Sequence, residues 1–329
     1  MERSHLSIDG FAGASQRRIP ISTVHRTLWA RRRQAMEASG QRHSPVGVKQ
    51  PGADTAFESA LNLFELLLKS CGLYQVGHAI ARDVRVRRID LQFETLPKAF
   101  DGYTILHLTD LHIDKFEGLD EAIISAVSGI DVDLCVMTGD FRAADDGPHE
   151  QIMAPMGKLV ETLDPRDGTY AVLGNHDDHQ LGLALERRLG IRLLANEHDV
   201  IQREGAQLRL AGADDVNRFY TADADRTLAR CADDFTVALV HSPEMATEAA
   251  EGGCDLYLCG HTHGGQVCLP GGRPLVTHLN VNHHLASGLW QVSGMQGYTS
   301  PGAGVSGPPV RFFSRGEVTV FTLHRKASA

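Results

Sequence analysis

Thr104-Ile105-Leu106-His107-Leu108-Thr109-Asp110-Leu111-His112 is an apolar run that ends in an aspartate and a histidine one residue apart. The arrangement recurs along the chain. Leu134 to Met137 leads to Gly139-Asp140, Tyr170 to Leu173 to Gly174-Asn175-His176-Asp177, Phe235 to Val240 to His241, and Leu256 to Cys259 to Gly260-His261-Thr262-His263. Short apolar runs bounded by glycine and polar residues read as buried strands. In open α/β sheets the carboxyl ends of such strands share one crevice, where sites are built. These ends carry oxygen and imidazole donors and no thiolate, a set suited to Mn, Fe or Zn rather than to a closed structural zinc site. Gly-Asp, Gly-Asn and Gly-His pairs are also ordinary strand terminators. Five strand ends in succession, each bearing a ligand-type side chain, favour a two-metal hydrolytic site.

Between the first runs lie helical patterns at Leu119 to Ser128, Gln151 to Thr162 and Leu181 to Leu189, so strand and helix alternate as in an α/β fold. The later runs Gln207 to Ala211, Leu289 to Ser293 and Glu317 to Leu323 read as a second sheet. Ile89, Leu91 and Phe93 alternate with Asp90, Gln92 and Glu94, a half-buried strand that starts the catalytic domain near Val84, giving 84–329.

The five blocks, in this order, resemble the calcineurin-like metallophosphoesterase family across about the last three-quarters of the chain. Gly260-His261-Thr262-His263-Gly264-Gly265-Gln266-Val267 and Leu96-Pro97-Lys98-Ala99-Phe100-Asp101-Gly102 are similar to the bacterial branch with YkuE, YaeI and the UDP-2,3-diacylglucosamine pyrophosphatases of lipid A synthesis. The resemblance implies a sandwich of two mixed sheets flanked by helices. It also implies that Asp110, His112 and His263 hold one metal, Asn175, His241 and His261 the other, and Asp140 bridges both. Cations about 3.5–4 Å apart would share a water, lower its pKa and neutralise the phosphoryl oxygens as the hydroxide attacks phosphorus. His176 would be the general acid for the leaving group, with Asp177 holding its imidazole in the protonated tautomer. The expected substrate is a small phosphodiester or a nucleotide diphosphate, lipid-linked ones included. The alternatives are a phosphomonoesterase of the same fold and a non-catalytic interaction scaffold that keeps the metal site, as in the retromer subunit with this fold; scaffold relatives typically lose ligands that are all present here.

Composition fits a globular enzyme: 329 residues, 42% hydrophobic, with a formal net charge of −9 that argues against a nucleic-acid-coating protein. The six cysteines lack C-x-x-C spacing and suit a reducing cytosol, although an even number leaves disulfides open. Residues 1–50, with Arg17-Arg18 and Arg31-Arg32-Arg33 but no hydrophobic periodicity, read as a disordered basic arm. No apolar stretch follows these arginines closely enough for an export signal. Residues 51–83 read as an amphipathic helical segment, with Phe57, Ala60, Leu61, Phe64, Leu67, Leu68 and Cys71 on one face opposite Glu58, Asn62, Glu65 and Lys69. Packing on the catalytic domain is the favoured use of that face, and peripheral contact of residues 1–83 with the inner membrane of a cytoplasmic protein is the alternative. No run approaches the roughly 20 residues of a bilayer span. Gly294 to Gly307 is a glycine-rich departure from the branch, read either as a flexible substrate loop or as a long surface connection. His278, His283 and His284 are near enough in sequence to reach a substrate, while His107, His179 and His198 carry no motif context.

Overall fold

The computed structural model describes residues 23–45, 47–49, 55–144 and 147–326. Residues 1–22, with Arg17-Arg18, and the side chains of Phe57 and Glu58 lie outside the described residues.

The expectation of a disordered arm up to residue 50 is corrected from residue 23 onward. Helix α1 (Thr23–Ser39) is docked on the protein, with Trp29 and Arg33 buried. Arg26 beside them donates to Leu193 O at 2.8 Å and pairs with Glu197 at 3.2 Å. One aromatic ring and several ion pairs hold this helix, so it lacks the apolar stripe by which an amphipathic helix is recognised. A small antiparallel hairpin follows, β1 (Arg42–Ser44) with β2 (Gly47–Lys49). The His43 backbone N–H donates to Arg218 O at 2.8 Å, and its carbonyl accepts from Tyr220 N at 3.1 Å.

The amphipathic segment holds two helices, α2 (Thr55–Ser70) and α3 (Leu73–Arg82). On α2, Leu68 is buried and Leu61 and Phe64 half-buried, whereas Leu63, Leu66 and Leu67 are exposed. α3 fastens to the rest of the chain where Arg311 N donates to Gly77 O at 3.0 Å and the His78 ring meets Phe116 at 4.6 Å. Among the described residues no helix is long and apolar enough to cross a membrane.

From Val84 the chain runs through β3 (Val84–Phe93), β4 (Tyr103–Leu108), α4 (Leu119–Val127), β5 (Leu134–Thr138), α5 (Glu150–Thr162), β6 (Thr169–Val172), α6 (His179–Leu189) and β7 (Arg192–Leu193). It continues through β8 (Glu197–Arg203), β9 (Ala206–Gly212), α7 (Ala222–Leu228), β10 (Phe235–Leu239), α8 (Ala246–Glu251) and β11 (Leu256–Cys259). A hairpin of β12 (Cys268–Leu269) and β13 (Arg273–Pro274) precedes β14 (Gly288–Val292), β15 (Met295–Thr299) and β16 (Gly316–Arg325). Among the described residues two mixed six-stranded sheets form, ordered β3-β16-β4-β5-β6-β7 and β14-β15-β11-β10-β9-β8.

Successive strand residues point to opposite faces, and here both faces are covered. In β4, Ile105 enters the core between the sheets with Val136, Val237 and Leu258. Leu106 and Leu108 point the other way, into a layer with Ile123 of α4 and Met156 of α5. On the far side, Ala238 and Tyr257 pack with Leu228 of α7 and Ala249 of α8. Strands buried on both faces explain why their sequences are continuous apolar runs.

The placement of Glu317 to Leu323 in the second sheet is corrected. β16 inserts into the first sheet, parallel to β3 and antiparallel to β4 with Thr319 opposite His107. A strand's own apolar pattern reports burial and not which neighbour it pairs with, so the return to the first sheet is a long-range property. The glycine-rich stretch is also corrected. Met295–Thr299 is strand β15, and the Ala303 and Gly304 backbone N–H groups donate to Thr109 O and Asp110 O at 3.1 and 2.8 Å. At Gly304 a Cβ would lie 2.0 Å from Leu111 O, so glycine is needed for this close approach rather than for flexibility.

Candidate metal centre

Strands β4, β5 and β6 run parallel in one sheet, as do β10 and β11 in the other, and the residues just past their carboxyl ends converge. Asp110, His112 and His263 bring ligand atoms within 4.8 Å of one another, and Asp140, His241 and His261 do the same. Asp140 Oδ2 stands between the groups, 3.6 Å from His112 Nε2 and 3.3 Å from His241 Nε2. Asn175 Oδ1 lies 3.2 Å from His241 Nε2 and belongs with the second group. All seven expected ligands are thus brought together.

Asp110, His112, Asp140, His261 and His263 all have positive φ, between 37° and 71°. Non-glycine residues occupy this region at a cost of about 1–3 kcal/mol each and persist there only when the surroundings over-determine them. Those surroundings are visible. Asp110 N donates to Gly139 O at 2.9 Å, His112 N to Asp140 O at 3.0 Å, and His261 N to the Asp110 carboxylate at 2.9 Å. Gly174 lies so close that a Cβ there would meet Asp140 Oδ1 at 2.2 Å.

The ring orientations suit metal binding. His112 Nδ1 lies 2.7 Å from Arg142 O and His241 Nδ1 2.7 Å from Thr138 O, carbonyls that accept from Nδ1 and turn each Nε2 toward the cluster. Burial pushes His112 down to about 3 and His261 and His263 well below the usual histidine range, so these rings are neutral donors. Burial lifts the Asp110 carboxyl to about 6. Burial likewise works against the charge of Asp140, but His241, His176 and His112 hold its carboxyl well below the usual range. Burial also opposes charge on His241, yet the carboxylates of Asp140, Asp110 and Asp215 hold it well above its ordinary value. Neutral imidazoles around buried carboxylates that call for positive charge form a donor set that divalent cations satisfy.

Asp140, Asn175, His261 and His263 of the cluster line a cavity of about 600 Å³, together with His176. Arg42, Asn217 and Arg218 contribute polar groups to its lining, and Leu61, Phe64, Leu275 and Val276 apolar ones. His278 also reaches this cavity, whereas His283 and His284 are exposed and are not among its lining residues. His107 lies inside the sandwich with Nε2 2.8 Å from Thr138 Oγ1.

The pairing of Asp177 with the His176 imidazole is corrected. The Asp177 carboxylate accepts from three backbone N–H groups, Asp140 and Gly174 at 2.8 Å and Phe141 at 2.9 Å. Its short side chain folds back on the turn to satisfy buried donors, so it braces the loops that carry Asp140 and Asn175.

Sequence reasoning missed the arginines. Arg311, wholly buried, donates to the carbonyls of His263, Pro301, Gly302 and Gly304. Arg142 Nε donates to His176 O at 2.8 Å and Arg218 Nη1 to Asn175 O at 3.1 Å. On α1, Arg26, Trp29, Arg33 and Glu37 recur at intervals of three and four on one face, a signal of a docked helix that hydrophobicity alone passes over.

The calcineurin-like phosphoesterase family model matches residues 103–265. An uncharacterized metallophosphoesterase of Bacillus subtilis, YkuE, is 30% identical over 75% of this chain and 90% of its own length. A second from the same organism, YkoQ, is 31% identical over 72% of this chain and 90% of its own. The phosphodiesterase YaeI of Escherichia coli is 29% identical over 51% of this chain and 63% of its own. With this coverage, and with the ligand blocks inside the matched span, the chain belongs to the calcineurin-like phosphoesterase family.

Proposed function

We propose that the protein is a two-metal phosphohydrolase that cleaves phosphodiesters or pyrophosphates, with Asp110, His112 and His263 holding one cation, Asn175, His241 and His261 the other, and Asp140 bridging. The observation that carries this reading is the pair of buried ligand groups facing each other across Asp140, with residues of both groups lining one cavity. Divalent metals in such a site lower the pKa of a shared water and offset charge on the phosphoryl oxygens. His176, which lines the same cavity with its ring 5.1 Å from that of His112, is suited to protonate the departing oxygen. Among the lining residues Arg42, Asn217 and Arg218 suit the anionic or sugar part of a substrate, and Leu61, Phe64, Leu275 and Val276 an apolar part. A lining with both polar and apolar groups favours a phosphorus that carries a second substituent over a simple monoester, and the similarity to the phosphodiesterase YaeI points the same way. A lipid-linked nucleotide diphosphate carries both kinds of group. Leu63, Leu66 and Leu67 of α2 are exposed, which supports peripheral membrane contact.

The test uses chelator-stripped protein re-supplied separately with Mn, Fe(II), Zn or Mg and given bis-p-nitrophenyl phosphate or p-nitrophenyl phosphate. Metal-restored turnover that favours the diester is the expected result. Preference for the monoester would overturn the diester assignment, and two bound metals without turnover on either would favour a scaffold.

A further inference from the structure

We propose that Arg33, on α1 and seventy residues before the span matched by the family model, is a positioning residue for the loop that carries Asn175 and His176. The proposal rests on the reading of His176 as general acid.

The loop Gly174-Asn175-His176-Asp177 has an uncommon form of support. Each of its four successive carbonyl oxygens accepts a hydrogen bond from an arginine. Arg33 Nη2 takes the two outer ones, Asp177 O at 2.7 Å and Gly174 O at 3.3 Å. Arg218 takes Asn175 O and Arg142 takes His176 O. Arg142 and Arg218 belong to the matched domain; Arg33 does not.

Arg33 is itself held on every side. It is 1% exposed, its Nη1 pairs with Asp214, its Nε donates to Glu37 Oε1 at 3.1 Å, and its guanidinium lies 3.5 Å over the Phe219 ring. Trp29 Nε1 donates to the other Asp214 oxygen at 2.7 Å. Glu37 then accepts from the His179 backbone N–H at 2.8 Å, just past the loop. A planar guanidinium locked in this way has a fixed fork, so the two carbonyls it grips, and the Asn175-His176 pair between them, inherit a fixed position. No atom of Arg33 faces the cavity, so its influence on the reaction passes through the loop.

A fold staple would lose stability on removal without altering which step of catalysis is slow. Arg33→Met alone strands the buried Asp214 carboxylate, so the double variant Arg33→Met/Asp214→Asn is needed to remove that charge while leaving the two loop carbonyls without their donor. Arg33→Lys keeps the ion pair and one donor direction. The metal-loaded full-length proteins, with His176→Ala alongside, would be assayed on bis-p-nitrophenyl phosphate and diphenyl phosphate, with metal content and melting temperature recorded. Diphenyl phosphate has the poorer leaving group and depends more on a general acid.

The expected result is a selective loss on diphenyl phosphate in His176→Ala and, to a lesser degree, in the double variant. There kcat falls up to about a hundredfold, the scale of an ångström misplacement, with KM within about twofold and metal content unchanged. Arg33→Lys should recover part of it. If His176→Ala is selective but the double variant, melting like the parent, loses nothing or loses both substrates equally, Arg33 is a staple and the proposal is overturned. If His176→Ala itself shows no selectivity, the general-acid reading fails and takes the proposal down with it.

Discussion

Residues 109–113 and residues 174–177 bring ligands to the same centre and are fixed in opposite ways. The first segment is locked by main chain: Asp110, His112 and Ile113 donate to the carbonyls of Gly139, Asp140 and Phe141, while its own Thr109 and Asp110 carbonyls accept from Ala303 and Gly304. Asp110 and His112 are held there at positive φ and are fully buried. The second segment has no residue at positive φ, keeps Asn175 and His176 half-buried, and is held by side chains, namely Arg33, Arg142 and Arg218 on its carbonyls and the carboxylates of Asp177 and Asp140 on the Gly174 and His176 amides. Rigidity in the first comes from neighbouring strands and in the second from guanidinium groups sent in from three separate elements. The half fixed by main chain suits binding, where displacement of a ligand is costly. The half fixed by side chains presents His176, the proposed general acid.

Asp140→Asn strikes both segments at once, because the Asp140 carboxylate lies 3.6 Å from His112 Nε2 and accepts from His176 N at 2.9 Å. Losing the bridging charge should lower turnover on the order of 10³-fold or more and reduce bound metal in elemental analysis. Parental activity in this variant would dismantle the bridging assignment.

Asp177→Asn separates a brace from a partner of His176. The amide would set an N–H₂ against one of three backbone donors now bonded to the carboxylate. Leaving a buried donor unsatisfied costs about 1–3 kcal/mol, so both melting temperature and metal affinity should fall, with turnover down roughly 10–100-fold as for lost support behind metal ligands. Unchanged stability with a shifted pH-rate profile would instead restore the dyad.

Gly304→Ala breaks the first segment through its backing alone. The new methyl would stand 2.0 Å from Leu111 O, and forced overpacking of this kind typically costs about 1–3 kcal/mol. Denaturant midpoints and metal titration should show weaker binding at one of the two sites first. Equal weakening at both would mean that the segments are not independently fixed.

How far the sequence could be read follows the same divide. Strands buried on both faces wrote themselves as apolar runs, and the candidate ligands at strand ends wrote themselves as short blocks, so the residues from Asp110 to His263 that the structure brings together were legible one by one. What escaped depends on reach. Arg33, Arg142, Arg218 and Arg311 act through backbone carbonyls, which have no residue identity, and the partner carbonyls of Arg33 lie more than a hundred positions away. α1 escaped because Trp29 and ion pairs dock it, and β16 because its apolar pattern is the same whichever sheet receives it.

His107 sharpens the contrast at its smallest scale, because it is a buried histidine of the same strand end that takes no part in the centre. Burial pushes it down to about 3, as it does His112, but its Nε2 meets Thr138 rather than the metal cluster. Its native pKa is depressed below the value of about 6.5 expected when unfolded, so the unfolded chain binds the extra proton as pH falls. The stability it contributes is therefore full above about 6.5 and is lost on acidification toward 3, at about 1.4 kcal/mol per pH unit. Urea unfolding of chelator-treated His107→Gln between pH 7 and 5 should show a pH slope shallower than the parent's by that amount, the amide keeping a hydrogen bond to Thr138. Metal should leave this difference intact, since His107 is not a ligand, while adding its own dependence through His112. Identical slopes in the two proteins would mean that His107 titrates alike in the folded and unfolded chain, and that burial inside the sandwich is less complete than the packing around Phe321 indicates.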